Sequence, residues 1–524
     1  VTVQLDFIFR DRDNTSNILI PSLDYRVKNY SWDVIGGPKK AKIVVTGSKT
    51  GLYDLLEHLR APVEIHDSRG VNRWWGIINS VKVSWDNITF GAMLDDMYNS
   101  IAVAYTEDGK RKTTAWSADS ESTAEYGTKQ LLMSLAEVSA AKALQKRDTQ
   151  LQLSKYPVIS TEFSRGGENQ AVIDCIGWLD TLDWVYYSNN SGKESYEALG
   201  RNAREIGEDD RPILAQSIQI AASAAWDASE IWVRPWKYPS GAPPVDNFVV
   251  GLYSDNGDAP NALLASGSVA GANIGASSDW IKFTLNVAVT LNTATKYWIR
   301  CSRSGATSAS AYFMVDINGA GGYVNGKIKL YNTNTSAWVD EYKNGLNGDL
   351  NFIVWGNLST TAQISSLITN VGIFFTGTDI ENASGVNTNP YRDGDTTAYY
   401  ELMKLLDTGT TNNRRLLCEV TPWRGLRVYE EPAKPTDIEN SYAIDATGRI
   451  IRKYDREMPQ EECPVGMWCH LKDVIPASLD LSKLTDPSLF FVEEASFDVE
   501  TGRYEMLRVR DQNRPFEVGG VKEG

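Results

Sequence analysis

Histidine is nearly absent: His58, His66 and His470 are the three in 524 residues. Chemistry that turns on an imidazole, as base or as zinc ligand, has little to draw on. The sequence also contains no G-x-S-x-G elbow and no H-E-x-x-H run, which removes the common serine-hydrolase and zincin arrangements. Cysteine is sparse too. Cys175, Cys301, Cys418, Cys463 and Cys469 are odd in number and scattered, so a disulfide framework is excluded and folding in a reducing compartment is expected. No apolar run approaches the ~20 residues of a membrane-spanning helix. The opening VTVQLDFIFRDRDN reads as a strand and lacks the basic start and apolar run of a signal peptide, so neither a membrane span nor ordinary secretion is expected. Positive charge is in deficit. Lys plus Arg number 52 against 67 Asp plus Glu, a formal net charge of minus 15, and such a field repels nucleic acid and anionic membrane; no specific nucleic-acid binding is expected.

What is present is mostly strand. Over 1–96 the segments VTVQLDFIF, NYSWDVIGGPKKAKIVVTG, PVEIHDS and RWWGIINSVKVSW follow one another. Ile43 and Val45 alternate with Lys42 and Val44, and Gly36, Gly37 and Pro38 open that strand. The meander predicts a small β-barrel, closed or nearly so. Over 97–211 a helical and mixed region is expected. Ser122 and Glu125 have capping-box spacing, and Leu131, Leu135, Val138, Ala141 and Leu144 recur at three and four residues, which predicts one helix across them. VISTEFSRGGENQAVIDCIGWLDTLDWVYYS then reads as a hairpin through Gly166 and Gly167, and the polar stretch NNSGKESYEALGRNAREIGEDDRP as a linker.

Beyond the linker the composition changes. From Ile213 to Trp355, Ser, Ala, Asn and Gly dominate, charge thins, and short alternating strands recur. In DWIKFTLN, Ile281, Phe283 and Leu285 face one side and Lys282, Thr284 and Asn286 the other, the half-buried pattern of a sandwich strand. The segment 212–356 is therefore predicted to be an inserted all-β sandwich of the jelly-roll kind. Over 357–524 the mixed style returns. Helices are predicted in TTAQISSLITN and in TTAYYELMKLLDTG, the second stopped by Gly409, and RRLLCEV and GLRVYEEP form a hairpin. The expected fold class is mixed α+β, mostly β: a discontinuous parent domain bracketing a sandwich.

Motif by motif, chemistry is thin. Gly321 to Lys327, GGYVNGK, fits a phosphate loop, but Ile328 stands where the magnesium ligand belongs and a strand follows in place of a helix. The C-x5-C-H of Cys463, Cys469 and His470 matches no zinc finger or ribbon. Asp95 with Asp96, Asp209 with Asp210, and Glu493 with Glu494 read as solvated surface, since a glycosidase needs carboxyls converging across a groove. In SDNGDAP, Asp255, Asn256 and Asp258 crowd round Gly257, yet the glycine arrives too early for a calcium loop and a hairpin turn is expected. No catalytic, cofactor or metal residue is expected.

NYSWDVIGGPKKAKIVVTG, GLYDLLEHLRAPVEIHD, RWWGIINSVKVSW and LDDMYNSIAVAYTEDGKRKTTAWSADSESTAEYGTKQ together resemble the opening of tail hub proteins of tailed bacteriophages. RRLLCEVTPWRGLRVYEEP and PVGMWCHL resemble the returning second half. The segment 212–356 is similar to choice-of-anchor jelly-roll modules, through SEIWVRPW, GLYSDNGDAPNALLASGS, LNTATKYWIRC and GDLNFIVWG. The resemblance implies tail-tube-like β-barrels and a homotrimeric ring with a pseudo-sixfold top. It also implies a virion location at the tail tip or baseplate after assembly in the host cytoplasm, and tail-tube, tape-measure and tip or fibre proteins as partners. An acidic lumen would let DNA slide past. The alternative expectation is a carbohydrate-binding adhesin or polysaccharide depolymerase acting on a host surface glycan through the insert. Trp232, Trp236, Trp298 and Trp338 are its candidate sugar contacts, because an indole face stacks on a sugar ring if exposed.

Overall fold

A computed structural model describes residues 5–511 except 21, 164–167, 199–201, 210–211, 221–224, 239–242, 320–321, 341, 344–345, 372–373, 382–383, 434–441, 445–449, 453–455, 458–462 and 472–488. The fold is mixed α+β, mostly β. The chain divides into two compact units. One comprises Val1–Tyr187, Ile364–Val386 and Asp395–Gly524; the other comprises Ser188–Gln363 and Asn387–Gly394.

In the first unit a curled sheet follows the order Leu5–Phe9, Pro62–Asp67, Asn72–Trp85, Gln170–Ile176, Ile35–Gly47, Leu23–Asp33, antiparallel throughout. Phe7 on the first strand of that path stacks on Tyr25 of the last at 5.1 Å, so the two ends meet. Alternation explains the curl. Ile43, Val45, Ile65, Trp74, Val81, Val83 and Ile173 point inward and are fully buried, while Lys40, Lys42 and Lys82 face out. Residues late in the chain complete this unit. Asn29–Asp33 pairs antiparallel with Glu494–Asp498, and Ile35–Gly36 pairs parallel with Cys418–Glu419. Ile364, Leu367, Leu402, Leu406 and Phe497 join the same core.

Three local expectations change. The helix predicted across 131–144 is a strand, Gln130–Glu137, lying parallel to Ser100–Glu107, followed by a helix at Ala140–Ser154. A spacing of four fits both periods: Leu131 and Leu135 share one face of a strand as readily as one face of a helix. The cap also moves. The helix is Ser120–Tyr126, and Asp119 caps it by accepting from the Ser122 amide at 2.9 Å, leaving Ser122 inside. Val158–Phe163 and Gln170–Ile176 do not pair as a hairpin, because the second strand has both edges occupied and the first pairs with Ile88–Met93. Gly166 and Gly167 lie outside the described residues.

The second unit is a sandwich. A six-stranded sheet runs Pro260–Ala270, Asn247–Asp255, Lys296–Arg303, Leu214–Gln219, Ile328–Asn332, Ala337–Asp340. Another runs Lys193–Tyr196, Phe352–Ser359, Trp226–Val233, Ile281–Leu291. A third runs Asn202–Ile206, Tyr312–Asn318, Pro235–Tyr238. Between them lie Phe248, Phe283, Phe313, Phe352, Ile231 and Val354, all buried. Phe283 and Leu285 point in and Lys282, Thr284 and Asn286 out, as their alternation requires. Lys193–Tyr196 and Asn202–Ile206 are strands of this unit although they fall in the polar stretch read as a linker.

Candidate functional site

Three partly exposed aromatic side chains of the sandwich, Trp232, Trp355 and Tyr391, come together on one outer sheet face. Along Trp226–Val233, Trp226 and Ala228 point inward, but so do Ile231 and Val233, an odd step in a structure of period two. The cause is a β-bulge: Ala228 pairs with Gly356 and Glu230 with Trp355, with Ser229 between them unpaired. Without that extra residue Trp232 would point into the core. With it, Trp232 stands on the outer face beside Trp355, which alternates outward from Phe352 and Val354.

Ser229, Glu230, Trp232, Trp355, Asn357, Asn389 and Tyr391 line a groove of about 450 Å³ on this face. Tyr391 meets Trp355 edge-on, with ring centroids 5.8 Å apart. The Lys193 ammonium lies 5.1 Å from the centre of each of those rings and 2.9 Å from a Glu197 oxygen. The Trp232 indole N–H donates to Glu230 at 3.3 Å, and the other oxygen of Glu230 pairs with Lys282 at 3.3 Å. Asn389 fixes the rim: its amide donates to the Gly192 and Gly356 carbonyls at 3.1 and 2.9 Å, and its oxygen accepts from the Tyr391 amide at 2.8 Å.

Of the four tryptophans chosen from sequence, only Trp232 lines this groove. Trp298 is a correction. Its ring is fully buried and its N–H donates to Asp255 at 2.7 Å, so it has no face for a ligand. Trp236 lies on Pro235–Tyr238 of the third sheet. Trp338 lies on the edge strand of the six-stranded sheet, edge-on to Tyr331 at 5.4 Å. Trp355 and Tyr391 were missed. Trp355 reads only as the end of a buried strand, and NPYRDG lies beyond the segment whose composition marks the sandwich.

The acidic turn is a hairpin with its charge already matched. Gly257 and Asp258 take φ of 60° and 67°, and Asp255 pairs with Pro260. Asp258 binds Lys327 at 2.6 Å, Lys296 at 2.8 Å and Lys329 at 3.4 Å. Lys327, the cation of the phosphate-loop reading, also pairs with Asp340 at 3.3 Å. All five cysteines are free thiols, and no His, Cys, Asp and Glu grouping suited to a metal ion occurs among the described residues. Glu493 and Glu494 are bound up with Arg508, Arg510 and Lys39 and do not face a groove together. Asp210 lies outside the described residues.

The first unit carries an acidic pocket, lined by Asn79, Asp95, Tyr98, Lys129, Asp180, Asp183, Trp184 and Tyr399 among others. Lys129 is buried, donates to the Leu94 and Asp95 carbonyls at 2.5 and 2.6 Å, and lies over the Tyr98 and Trp184 rings. Burial lowers its pKa to about 8 against the pull of Asp95, Asp96 and Asp183. Burial likewise raises Asp180 to about 6, with Lys39 and Lys40 opposing. The ammonium is committed to backbone carbonyls, which makes it a buried structural cation.

Among the described residues no helix is long and apolar enough to cross a membrane. No protein-family model and no curated protein matches the chain. Solved structures with some likeness include a Bacillus thuringiensis Cry1Da tryptic core variant, at 9% identity and TM-score 0.16 over 62% of this chain and 54% of that one. An uncharacterized Listeria monocytogenes protein follows at 10% identity and TM-score 0.16, over 58% and 30%. A family 43 arabinoxylan arabinofuranohydrolase from Bacillus subtilis, solved with cellotetraose, has 9% identity and TM-score 0.13, over 53% and 63%. The chain thus spans less than two thirds of each, none is a phage tail protein, and likeness at these TM-scores carries no functional argument.

Proposed function

We propose that the chain is a structural virion protein, the hub of a phage tail tip or baseplate. In this reading three copies form a ring that joins the tail tube to tip or fibre proteins and leaves a channel for DNA. The observation that carries it is an open apolar strand edge on the first unit. Val158–Phe163 pairs on one side with Ile88–Met93 and has no partner strand on the other among the described residues. Ile159 is 56% exposed and Phe163 81%, with Leu153 at 76% on the preceding helix. An open edge that exposes large apolar side chains, with Glu162 as its one charged residue, is a surface for pairing with another chain. Ring closure by copies of one chain needs such a surface.

The scaffold behind that edge is built to stay whole around an insertion, because strands from both ends of the chain share one sheet. The acidic balance suits a wall past which DNA slides. Mass measurement and negative-stain microscopy of the purified full chain test the reading. A trimeric mass and a three-fold ring are expected; a monomer at all accessible concentrations would overturn it.

A further inference from the structure

We propose that the groove between Trp232 and the Trp355–Tyr391 pair binds an uncharged pyranose unit of a surface polysaccharide. The inference rests on the sandwich alone and stands whether or not the scaffold is a tail hub. A pyranose is amphipathic: its C–H faces pack on aromatic rings and its hydroxyls need donors and acceptors at the ring edge. The groove offers both. Trp232, Trp355 and Tyr391 are only partly buried, in contrast to Trp226 and Trp298 of the same unit. Glu230, Ser229 and Asn357 supply polar groups along the same wall. Its volume of about 450 Å³ falls among the ~300–1,000 Å³ of small-molecule sites.

Charge selects the sugar class. The ionised groups beside the rings are engaged within the unit: Lys193 pairs with Glu197 at 2.9 Å, Glu230 with Lys282 at 3.3 Å, and the Arg392 guanidinium donates to the Asn389 and Tyr391 carbonyls at 2.8 and 2.7 Å. A uronic or sialic acid would have to break one of those pairs to gain a partner, whereas a neutral hexose or N-acetylhexosamine adds hydroxyl and amide hydrogen bonds to them. The site is also preformed. Asn389 accepts from the Tyr391 amide while its own amide is anchored on the Gly192 and Gly356 carbonyls, and the Ser229 bulge sets Trp232 outward, so little order must be imposed on binding.

The test screens the full chain against a glycan array, then titrates the best neutral oligosaccharide while following tryptophan fluorescence. Saturable binding is expected, weakened about tenfold or more by Trp232→Ala and by Tyr391→Ala, a loss of about 1.4 kcal/mol or more. Trp338→Ala, on the six-stranded sheet, should change it less than about twofold, an effect well under 1 kcal/mol. Melting curves for each variant establish that the sandwich is intact, and Tyr391→Phe, which keeps the ring, should retain binding. Failure of every neutral glycan, binding of acidic glycans alone, or equal loss in Trp232→Ala and Trp338→Ala would overturn the assignment. Sugar binding by a protein that stays monomeric would sink the hub reading and leave this one standing.

Discussion

Arg508 reaches both carboxylate oxygens of Asp33, at 3.1 and 3.0 Å, across 475 residues of chain. Lys39 joins Asp33 at 3.2 Å and Glu494 at 3.0 Å, and Arg508 also meets Glu493 at 3.0 Å. These ion pairs fasten the end of the early strand Leu23–Asp33 to the late strands Leu489–Asp498 and Arg503–Asp511. Asp33 is the shared, largely buried member, at 9% side-chain exposure.

Removing the anchor should cost more than removing one arm. Asp33→Ala leaves Lys39 and Arg508 facing each other and also removes the acceptor of the Ile35 amide, so about 2 kcal/mol should be lost. Arg508→Ala, from a side chain 47% exposed, should cost about 1 kcal/mol or less. Chemical denaturation of the two variants checks the order, and equal losses would show that Asp33 is not the anchor.

Changing the open edge should alter assembly and leave folding alone. Ile159→Lys combined with Phe163→Lys places charge on two exposed side chains of Val158–Phe163. The folded monomer should keep its melting temperature, because neither side chain is in the core. Sedimentation analysis should show the trimer lost; a trimer that survives would place the contact elsewhere.

Asp180 should make the first unit weaker as pH rises. Burial holds its folded-state pKa at about 6, above the 3.8 of a solvated carboxyl, so its contribution is complete below 3.8 and lost as pH climbs through 6. At pH 7.5 the ionised group is a cost. Asp180→Asn should therefore stabilise by about 1–2 kcal/mol at pH 7.5 and by nothing near pH 3.5, after allowance for partial solvent contact. Thermal melts at the two pH values give the answer, and a gain of equal size at both would refute the ionisation argument.

Calcium should be indifferent to the turn at Asp258. Three lysines already surround that carboxylate, which holds its pKa well below the usual range despite burial. Millimolar calcium, or a chelator, should leave the sandwich melting temperature unmoved. Asp258→Asn should lower it, because Lys296, Lys327 and Lys329 then repel one another. A calcium-dependent rise in the wild type would contradict this.

Sequence reading reached the features whose cause is local. Phe283 and Leu285 alternate with polar neighbours and are buried accordingly, and the helix Ala398–Thr408 stops at Gly409, whose φ of 69° a side chain would resist. It failed where two periods coincide, at Leu131 and Leu135, and where a capping residue had competitors nearby, at Asp119. The groove was hidden for a different reason. Trp232 stands on the outer face because of strand parity, set by a bulge at Ser229 that nothing in WDASEIWV announces, while Trp298, opposite in parity to the core residues Tyr297 and Ile299, is buried under Asp255 and Lys329. Tyr391 reaches Trp355 only because Asn387–Thr388 pairs with Leu358–Ser359, a register that depends on the whole unit.

The pairing of Asn29–Asp33 with Glu494–Asp498 also dictates a timetable. On a ribosome the early strand emerges first and its partner only after nearly the whole remaining chain, a wait of about half a minute to a minute and a half at ~5–20 residues per second. The sandwich, whose contacts lie within the intervening stretch, has time to fold while that wait lasts. Until translation nears Asp498, one flank of the nascent barrel is without its mate, and this is the interval in which a chaperone, or crowding by neighbouring nascent copies, decides the yield.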